Sequence, residues 1–351
     1  MRLRMFIAAA LATLLLTSCS SGDDDSSTPS GGTGPADQVT YLTAFGITGR
    51  ESYVHAAIDQ GYFRDENIQV TVKAGQAGPF NENAITSGQA QFASVDSTGM
   101  FTRAAAKKPA DRNVKAIAAV HQRTLLSLVT LNDRKISTPS DLIGRKIGTT
   151  KGSAPQVMWP LYADLAKVPR DSVTFVDAKP EALIGLLIAG RVDAIGLFVA
   201  GIPQLEAAEA KVAKEQNRAP RTAVPLPYSQ YLTDLYGAVL VTSGKILAEK
   251  PDLARRFTRA LMRGLEYAVT HPQEGGKILA KTDAKINPAA AAGELARMAP
   301  YTEPPGGEPY GYMDDLKVAK QIAIMKQLPI ADVVPAELVD FTFVPGVEGA
   351  K

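Results

Sequence analysis

The chain has 351 residues, of which 45% are hydrophobic and 21% are charged, and its formal net charge is +2. This apolar content is enough for one or two hydrophobic cores, so a wholly disordered chain is excluded, and the length favours two domains over one. The small net charge argues against a nucleic-acid-binding protein and against a polybasic membrane module.

The first residues have the layout of an export signal. Two arginines precede an apolar run, residues 5–16, that is too short to span a bilayer. The run ends in LTSC, residues 16–19, which resembles the signal motif of bacterial lipoproteins. The resemblance implies that residues 1–18 are a signal peptide and that Cys19 is acylated; the alternative is a free thiol after an ordinary signal. Because Cys19 is the only cysteine, a disulfide within one molecule is excluded.

The segment that follows the cysteine is rich in Ser, Gly, Asp and Thr and reads SSGDDDSSTPSGGTGPAD. It offers nothing apolar that could pack in a core, so we predict a flexible tether over residues 19–38. A flexible coil of this length would hold the folded part roughly 25 Å from a membrane. Removal of the signal peptide leaves 36 Lys and Arg against 36 Asp and Glu, so the mature chain is formally neutral.

From residue 39 onward, short apolar runs alternate with segments of helical spacing. Tyr53, Val54, Ala57 and Ile58 share one apolar stripe, for example, and Gly61 marks the end of that helix. In this first half the pattern predicts strands over residues 39–45, 68–74, 90–95 and 114–120, and helices over residues 51–60, 80–88 and 98–106.

The second half continues the alternation. The pattern predicts strands over residues 145–150, 172–176 and 192–198, helices over residues 155–166, 180–190 and 202–216, and a mostly helical region from 247 to 328. Strands and helices that alternate in this way indicate an α/β architecture with largely parallel sheets.

A weak internal repeat relates the two halves. The segments SGQAQFASV (87–95) and AGRVDAIGL (189–197) each contain a helix end at a glycine, a polar turn and a buried strand. The segments TAFGITGRES (43–52) and GTTKGSAPQ (148–156) each contain a strand, a glycine loop and a helix start. We therefore expect two similar lobes with glycine loops at the carboxyl ends of their strands, where open α/β sheets bind ligands.

Five segments in order carry a family resemblance: GRESYVHAAIDQGYFRDENIQV, NAITSGQAQFASVDSTGMF, DLIGRKIGTTKGSA, ALIGLLIAGRVDAIGLF and LYGAVLVTSGKILAEKPDLARRFTRALMRGLEYA. They resemble the solute-binding proteins of ABC importers, in the group of sulfonate, taurine and thiamine-pyrimidine binders. The resemblance covers residues 39–344 and implies a two-lobed type II periplasmic-binding-protein fold with two parallel-rich sheets. It implies hinge strands at 125–131 and 236–241, a first lobe of residues 39–131 plus 237–346, and a second lobe of residues 132–236.

Candidate ligand contacts come from the loops at the predicted strand ends. A glycine loop that leads into a helix lets a ligand approach the backbone and the positive end of the helix dipole, and Arg50 and Glu51 add a donor and an acceptor. The bland alternative is that Glu51 complements the dipole and Arg50 points to water. The predicted contacts are Phe45, Gly49, Arg50, Glu51, Asp96, Ser97, Gln122, Lys151, Ser153 and Phe198.

Several of these residues, and some neighbours, have structural alternatives. Ser153 and Asp96 could each cap a helix, and Phe198 could belong to the core. Aromatic residues of the helix that follows Ser153 are expected to pack inside the fold, and an aspartate of the GRVDA turn is expected to be structural: Trp159, Tyr162 and Asp193.

Catalytic motifs are absent from the sequence: there is no HExxH, CxxC, GxSxG or GxxxxGK, and the three histidines are far apart. We therefore predict no enzyme activity, no metal and no cofactor. The resemblance implies a monomeric extracytoplasmic component that captures a solute by lobe closure and docks on an ABC permease with its ATPase. The alternatives are an anchored ligand sensor and, on the same fold, an enzyme like the fungal pyrimidine synthases, whose cysteine-rich motif is absent here.

The ligand is predicted as a small polar organic molecule with one anionic or heteroaromatic part. Arg50 and Lys151 favour an anionic group, whereas Phe45 and Phe198 could sandwich a flat ring. The cell of origin is also predicted: Ser20 replaces the aspartate that resembles an inner-membrane retention signal in Gram-negative cells. An importer component must stay near its permease, so a protein lipid-anchored to the cell membrane of a Gram-positive source is favoured.

Overall fold

The computed structural model describes residues 34–76, 78–326 and 332–347. The predicted signal peptide, Cys19 and the tether up to residue 33 lie outside these ranges, so they stay predictions. Within the described ranges, no helix combines the length and the apolar character that a membrane span requires.

Ten strands occur in the described part of the chain. They are β1 Asp37–Leu42, β2 Ile68–Lys73, β3 Phe92–Asp96, β4 Val114–Ala119, β5 Leu126–Leu131, β6 Lys146–Thr149, β7 Thr174–Asp177, β8 Ala194–Phe198, β9 Ala223–Pro227 and β10 Ala238–Ser243. The sequence pattern predicts seven of them, the family resemblance implies β5 and β10 as hinge strands, and β9 is not predicted. This strand lies at the edge of its sheet and contains Pro225 and Pro227, which lack the N–H that a central strand needs, so its sequence does not have a strand pattern.

Helices cover both sheets. They are α1 Ser52–Asp59, α2 Tyr62–Asp65, α3 Gly78–Thr86, α4 Ser97–Ala105, α5 Ala154–Val157, α6 Trp159–Leu165, α7 Pro180–Ile188, α8 Ile202–Glu215, α9 Gly244–Glu249, α10 Pro251–Thr270, α11 Pro272–Ala280, α12 Pro288–Thr302, α13 Asp315–Met325 and α14 Pro335–Leu338. The single helix predicted over residues 155–166 is wrong: it is broken at Met158 into α5 and α6. Pro160 has no N–H for the i−4 bond, and this explains the break.

The two sheets have the same topology. The strand order is β2-β1-β3-β10-β4 in the first sheet and β7-β6-β8-β5-β9 in the second. In each sheet, three strands are parallel neighbours, and a strand antiparallel to them lies between the third strand and the far edge strand. The internal repeat is confirmed, because β3 and β8 are equivalent third strands and the loops after β1 and β6 are equivalent loops.

The chain crosses between the sheets at residues 120–125 and 228–237. The two crossing segments are hydrogen bonded to each other, since Thr124 N donates to Leu235 O (2.8 Å) and Gly237 N donates to His121 O (3.1 Å). Residues 125–131 were assigned to the first lobe, but β5 pairs with β8 and β9 in the second sheet. All six β5 residues are buried, because β5 lies between β8 and β9 inside the second sheet. The lobe boundaries themselves stay predictions.

Helix α10 closes the first sheet and fixes the start of the candidate site. The ring of Phe257 stacks on that of Phe92 in β3, with ring centroids 4.0 Å apart. The same ring contacts Tyr41 of β1 at 6.0 Å between centroids. Gly264 lies against α1, where a Cβ would come within 2.5 Å of Tyr53 O, so only glycine lets the two helices approach this closely. The end of β1 and the start of α1 are therefore held from both sides.

Candidate functional site

Arg50 lies where the two sheets approach each other. It belongs to a short 3-10 turn, Gly49–Glu51, that leads from β1 into α1. Its Cζ atom is 5.2 Å from the ring centroid of Phe198, which ends β8 in the second sheet. Two of the predicted contacts, one from each sheet, therefore meet at the carboxyl ends of parallel strands. The Nε atom of Arg50 is buried and has no hydrogen-bond partner in the described part of the chain.

Glu51, next to it, points into the protein. Its carboxylate accepts hydrogen bonds from Ala44 N (3.3 Å) and from the hydroxyl of Tyr53 (3.1 Å), and its Oε1 is 3.7 Å from Nε of Arg50. Burial raises the pKa of Glu51, although the charge of Arg50 and these hydrogen bonds act to lower it. The carboxylate thus binds the backbone of the loop and lies next to the guanidinium of Arg50. A contact between Glu51 and a ligand stays a prediction.

Gly49 and the amide of Arg50 are engaged by helix α12. A Cβ on Gly49 would lie 2.5 Å from the backbone of Ala291, so this position has a packing reason to be glycine. Arg50 N donates to Oε2 of Glu294 at 3.2 Å. Burial raises the pKa of Glu294, while the amide and the charge of Arg50 lower it. The expectation of a free first-turn amide for an anionic ligand is therefore wrong at Arg50, because a carboxylate of the protein already accepts from it.

Asp96 and Ser97 follow β3. Oδ1 of Asp96 accepts from Gly99 N at 3.1 Å, so Asp96 caps α4, which is the structural alternative considered above. Burial raises the pKa of Asp96 to about 6, against the Gly99 amide and the charges of Arg103 and Arg50. Ser97 is fully engaged, because its hydroxyl donates to Tyr236 O and accepts from Gln321 Nε2, both at 2.8 Å.

Two neighbouring side chains of the first crossing segment are buried and incompletely hydrogen bonded. Gln122 Nε2 donates to Tyr312 O at 2.8 Å, whereas its Oε1 has no partner among the described residues. His121 was not among the predicted contacts, yet its Nε2 is buried and equally unpaired. Burial and the charge of Arg50 lower the pKa of His121 to about 3. Its position two residues after β4, beside Gln122, is a signal that could have identified it.

The second sheet contributes a loop with open hydrogen bonds after β6. Lys151 is exposed and makes no hydrogen bond or ion pair within the described ranges. Ser153 occupies the N-cap position of α5, but its side chain makes no capping bond, and its Oγ is buried without a partner in the described chain. Thr149 Oγ1 is in the same state. Capping therefore does not account for the Ser153 hydroxyl, and its predicted ligand contact is untested.

The predicted aromatic contacts differ in exposure. Phe198 is partly buried and packs against the core in addition to its contact with Arg50, so both interpretations of this residue hold together. Phe45 is 51% exposed and pairs through its backbone with Gln76. Its ring therefore lies at the surface of the first sheet's loop.

The residues expected to be structural have that role. Trp159 is buried and donates from Nε1 to Arg170 O at 2.8 Å, and Tyr162 stacks on Tyr228 with ring centroids 4.2 Å apart. Asp193 accepts from Lys146 N at 2.9 Å and so joins the β8 turn to β6. Across residues 34–76, 78–326 and 332–347, no group of three or more His, Cys, Asp or Glu is placed to hold a metal ion.

A surface hollow of about 410 Å³ occurs elsewhere in the first sheet's half. It is lined by residues at the start of β2 and by α1 and α2, including Ile58, Phe63 and Val70. These residues lie at or near the amino end of β2, whereas Arg50, Asp96 and His121 lie at or beyond carboxyl ends. The hollow is therefore separate from the candidate site.

Comparison with known proteins places the chain in a family. A family model described as "NMT1/THI5 like" matches residues 52–275. A protein of Brucella abortus named as a binding protein is 19% identical over 258 residues, which cover 69% of this chain and 74% of the relative. The formylaminopyrimidine-binding protein of Halalkalibacterium halodurans is 22% identical over 237 residues, 67% of this chain and 68% of the relative.

Solved structures show the same fold. The alkanesulfonate-binding protein SsuA of Xanthomonas axonopodis, bound to MOPS, has a TM-score of 0.63 at 16% identity and is covered over 99% of its length by 87% of this chain. The aliphatic sulphonate-binding protein SsuA of Escherichia coli has a TM-score of 0.62 at 16% identity, with 84% of this chain and 87% of that chain covered. The predicted two-sheet α/β fold of the periplasmic binding proteins is confirmed.

Proposed function

This chain belongs to the NMT1/THI5-like family, and from that premise we propose that it is the extracytoplasmic, lipid-anchored solute-binding component of an ABC importer. It captures a small polar organic molecule between the carboxyl ends of its two sheets and hands it to a permease. The names of its relatives, which include a formylaminopyrimidine binder and alkanesulfonate binders, support this range of ligands.

The observation that carries the proposal is the state of the Arg50 guanidinium. It lies in the loop after β1, its Nε is buried without a hydrogen-bond partner in the described residues although Oε1 of Glu51 is 3.7 Å away, and it contacts Phe198 of the opposite sheet. An unpaired buried donor is costly, so this group is suited to an anionic or hydrogen-bond-accepting part of a ligand. The ring of Phe198 next to it offers a face for a flat or apolar part.

The mechanism is a shift between open and closed forms. A ligand that contacts residues of both sheets binds the closed form better and so populates it, and a change from 1:99 to 99:1 requires about 5.5 kcal/mol of differential affinity. The two hydrogen-bonded crossing segments are the places where the chain can bend. No bond of the ligand is broken in this scheme, and the ATPase of the importer supplies the energy for transport.

The ligand is tested with a panel of sulfonates, pyrimidines, carboxylates and nitrate in thermal unfolding, followed by Arg50→Ala. A ligand at a hundredfold excess over Kd stabilises the folded state by about 2.7 kcal/mol, which raises the melting temperature by several degrees. Arg50→Ala should weaken binding of the active compound at least tenfold, because it removes a charge-assisted hydrogen bond.

The matched control is Arg263→Ala, at an exposed arginine of α10 whose guanidinium lies 3.6 Å from Asp65. This variant should bind like the wild type, since a surface ion pair contributes little. Binding by Arg50→Ala within twofold of the wild type would remove the observation on which the proposal rests, and turnover of any compound would point to an enzyme instead.

The lipid anchor has a separate test. Cys19→Ala should release the protein from membranes without unfolding it, since the sequence that follows the cysteine offers no apolar side chains for a core. Membrane fractionation of the variant measures this, and a variant that stays with the membrane contradicts acylation at Cys19.

A further inference from the structure

His121 occupies an unusual place in the fold. It is 6% exposed and lies in the first crossing segment, two residues beyond the carboxyl end of β4. It therefore belongs both to the layer of strand ends where Arg50 and Asp96 lie and to the segment that must bend when the sheets move.

The backbone and ring of His121 are fixed by the neighbouring strand. His121 N donates to Ala238 O (3.0 Å), Gly237 N donates to His121 O (3.1 Å), and Ala238 N donates to Nδ1 of the ring (3.1 Å). Gly237 is the residue that makes room for the ring, because a Cβ there would lie 2.9 Å from Cβ of His121. The two backbone hydrogen bonds fix the segment, and the bond from Ala238 N to Nδ1 orients the imidazole.

This arrangement determines which nitrogen carries the proton. Because Nδ1 accepts from the Ala238 amide, it cannot be protonated, so the proton of the neutral ring resides on Nε2. The low pKa of His121 keeps the ring neutral at physiological pH. Nε2 is thus a hydrogen-bond donor, it is buried, and it has no acceptor within the described residues. A buried donor of fixed direction without an acceptor is rare in native proteins and calls for a partner.

We infer that His121 is a ligand-contacting residue, whose Nε2–H donates to a hydrogen-bond-accepting group of the solute. This inference rests on the proposed function and adds to it a neutral donor that does not titrate. Because the ring orientation is set by the second crossing segment through Ala238, the contact also joins the bound solute to the hinge. The site therefore selects a ligand that offers acceptors to two donors, one charged and one neutral, such as the oxygens of a sulfonate, a carboxylate or a ring carbonyl.

Two substitutions separate the ligand role from the structural role. In His121→Asn the amide oxygen can replace Nδ1 as acceptor for Ala238 N, while the Nε2 donor is lost. In His121→Gln the amide nitrogen can reach the place of Nε2, while the acceptor for Ala238 N is lost. The matched control is His55→Asn, since His55 is also buried and also has an unpaired Nε2 in the described chain, but lies within helix α1 and not in a crossing segment.

The affinities of the full chain for ethanesulfonate and for formylaminopyrimidine are measured by calorimetry for the wild type and the three variants. For the probe that binds the wild type, His121→Asn should raise Kd about fivefold to tenfold with little change in melting temperature. His121→Gln should lower the melting temperature by several degrees and raise Kd less, and His55→Asn should leave Kd unchanged.

Spectroscopy of the ring gives an independent measurement. Nitrogen-15 correlation spectra should show His121 as the neutral Nε2–H form from ~pH 5 to ~pH 8, and the Nε2–H proton should move downfield when the bound probe is added. Equal Kd values for wild type and His121→Asn, or a ring protonated at Nδ1, would overturn the inference while the proposed function stands. A wild type that binds neither probe would count against both.

Discussion

The loops that follow the first strand of each sheet, residues 43–51 and 150–153, occupy equivalent places and are held in different ways. In the first loop, Thr43 O accepts from Asn81 Nδ2 (2.9 Å), and buried acids engage the backbone around Arg50. In the second loop, Gly152 N donates to Gln156 within the adjacent helix (2.7 Å), and no residue of the described C-terminal helices contacts Lys151 through a hydrogen bond. The same topology therefore gives a first loop whose cation, Arg50, is already held in place, and a second loop whose polar side chains are still without hydrogen bonds.

Buried acids show the same contrast between the two sheets. Glu51 beside the first loop has a raised pKa because burial outweighs its partners. Glu209 of α8, in the half of the second sheet, is also buried, but hydrogen bonds from Arg221 and Arg218 outweigh burial and hold its pKa well below the usual range. An acid near the candidate site is therefore left with its charge poorly compensated, whereas an acid remote from it is fully paired.

The largest expected effect tests this contrast between acids. Glu209→Gln should lower the free energy of unfolding at pH 7 by about 3 kcal/mol, because it leaves two arginines without their buried partner. Glu51→Gln should change it by less than about 1 kcal/mol, since the amide keeps an acceptor for Ala44 N and removes a poorly compensated charge. Urea unfolding of both variants measures the difference.

The pH dependence has opposite signs at the two residues. The folded-state pKa of Glu209 is lowered, so its stabilisation is present above about pH 4.5, its ordinary pKa, and is lost as the pH falls. The pKa of Glu51 is raised, so the wild type loses stability there as the pH rises through that folded-state value. Equal effects of the two substitutions at pH 7, or the same sign of pH dependence, would contradict the contrast.

A smaller effect is expected at the glycines of the two loops. Gly49→Ala should lower the free energy of unfolding by about 2 kcal/mol, because its Cβ would collide with the backbone of Ala291. Gly152 has a φ of +70° and open space around it, so Gly152→Asn, which tolerates that conformation, should cost no more than about 0.5 kcal/mol. The melting temperature should fall by about 4 to 8 °C for the first variant and by about 1 to 2 °C for the second.

The measurement is thermal unfolding followed by circular dichroism, with Gly152→Asn as the control. A Gly49→Ala protein that melts with the wild type would mean that α12 can move away from the first loop at no cost. The two loops would then be held equally loosely, and the comparison would fail.

Much of the fold could be predicted because it depends on local pattern. Alternating apolar runs identified seven of the ten strands described, β1 to β4 and β6 to β8. The family resemblance implied β5 and β10 as hinge strands, and β5 lies beyond the crossing. Prolines account for two failures of the sequence prediction. Strand β9 was missed, because an edge strand tolerates Pro225 and Pro227, and the continuous helix over residues 155–166 was wrong, because Pro160 breaks it at Met158. Whether a strand lies at the edge of a sheet, and whether a helix continues past a proline, depend on neighbouring residues that a local pattern does not contain.

The candidate site was predictable as a set of loops but not as a set of contacts. The sequence pattern indicated Arg50 and Phe198, and these two side chains meet across the sheets at 5.2 Å. It treated Glu51 as an outward acceptor, whereas its carboxylate bonds to Ala44 N and Tyr53 inside the fold. It named Gln122 and passed over His121, although the two are neighbours and both have unpaired polar atoms.

The sequence alone therefore determined the α/β class, the repeat of two similar halves, the family resemblance and the strand-end loops, because hydrophobic period and glycine position are local properties. Only the tertiary structure decided which polar atoms in those loops are already used. Glu294, far along the chain in α12, accepts a hydrogen bond from the amide of Arg50, and the amide of Ala238 donates to Nδ1 of His121. A hydrogen bond between residues more than 100 positions apart depends on how helices and strands pack, and the donors left over after that packing define what the site can bind.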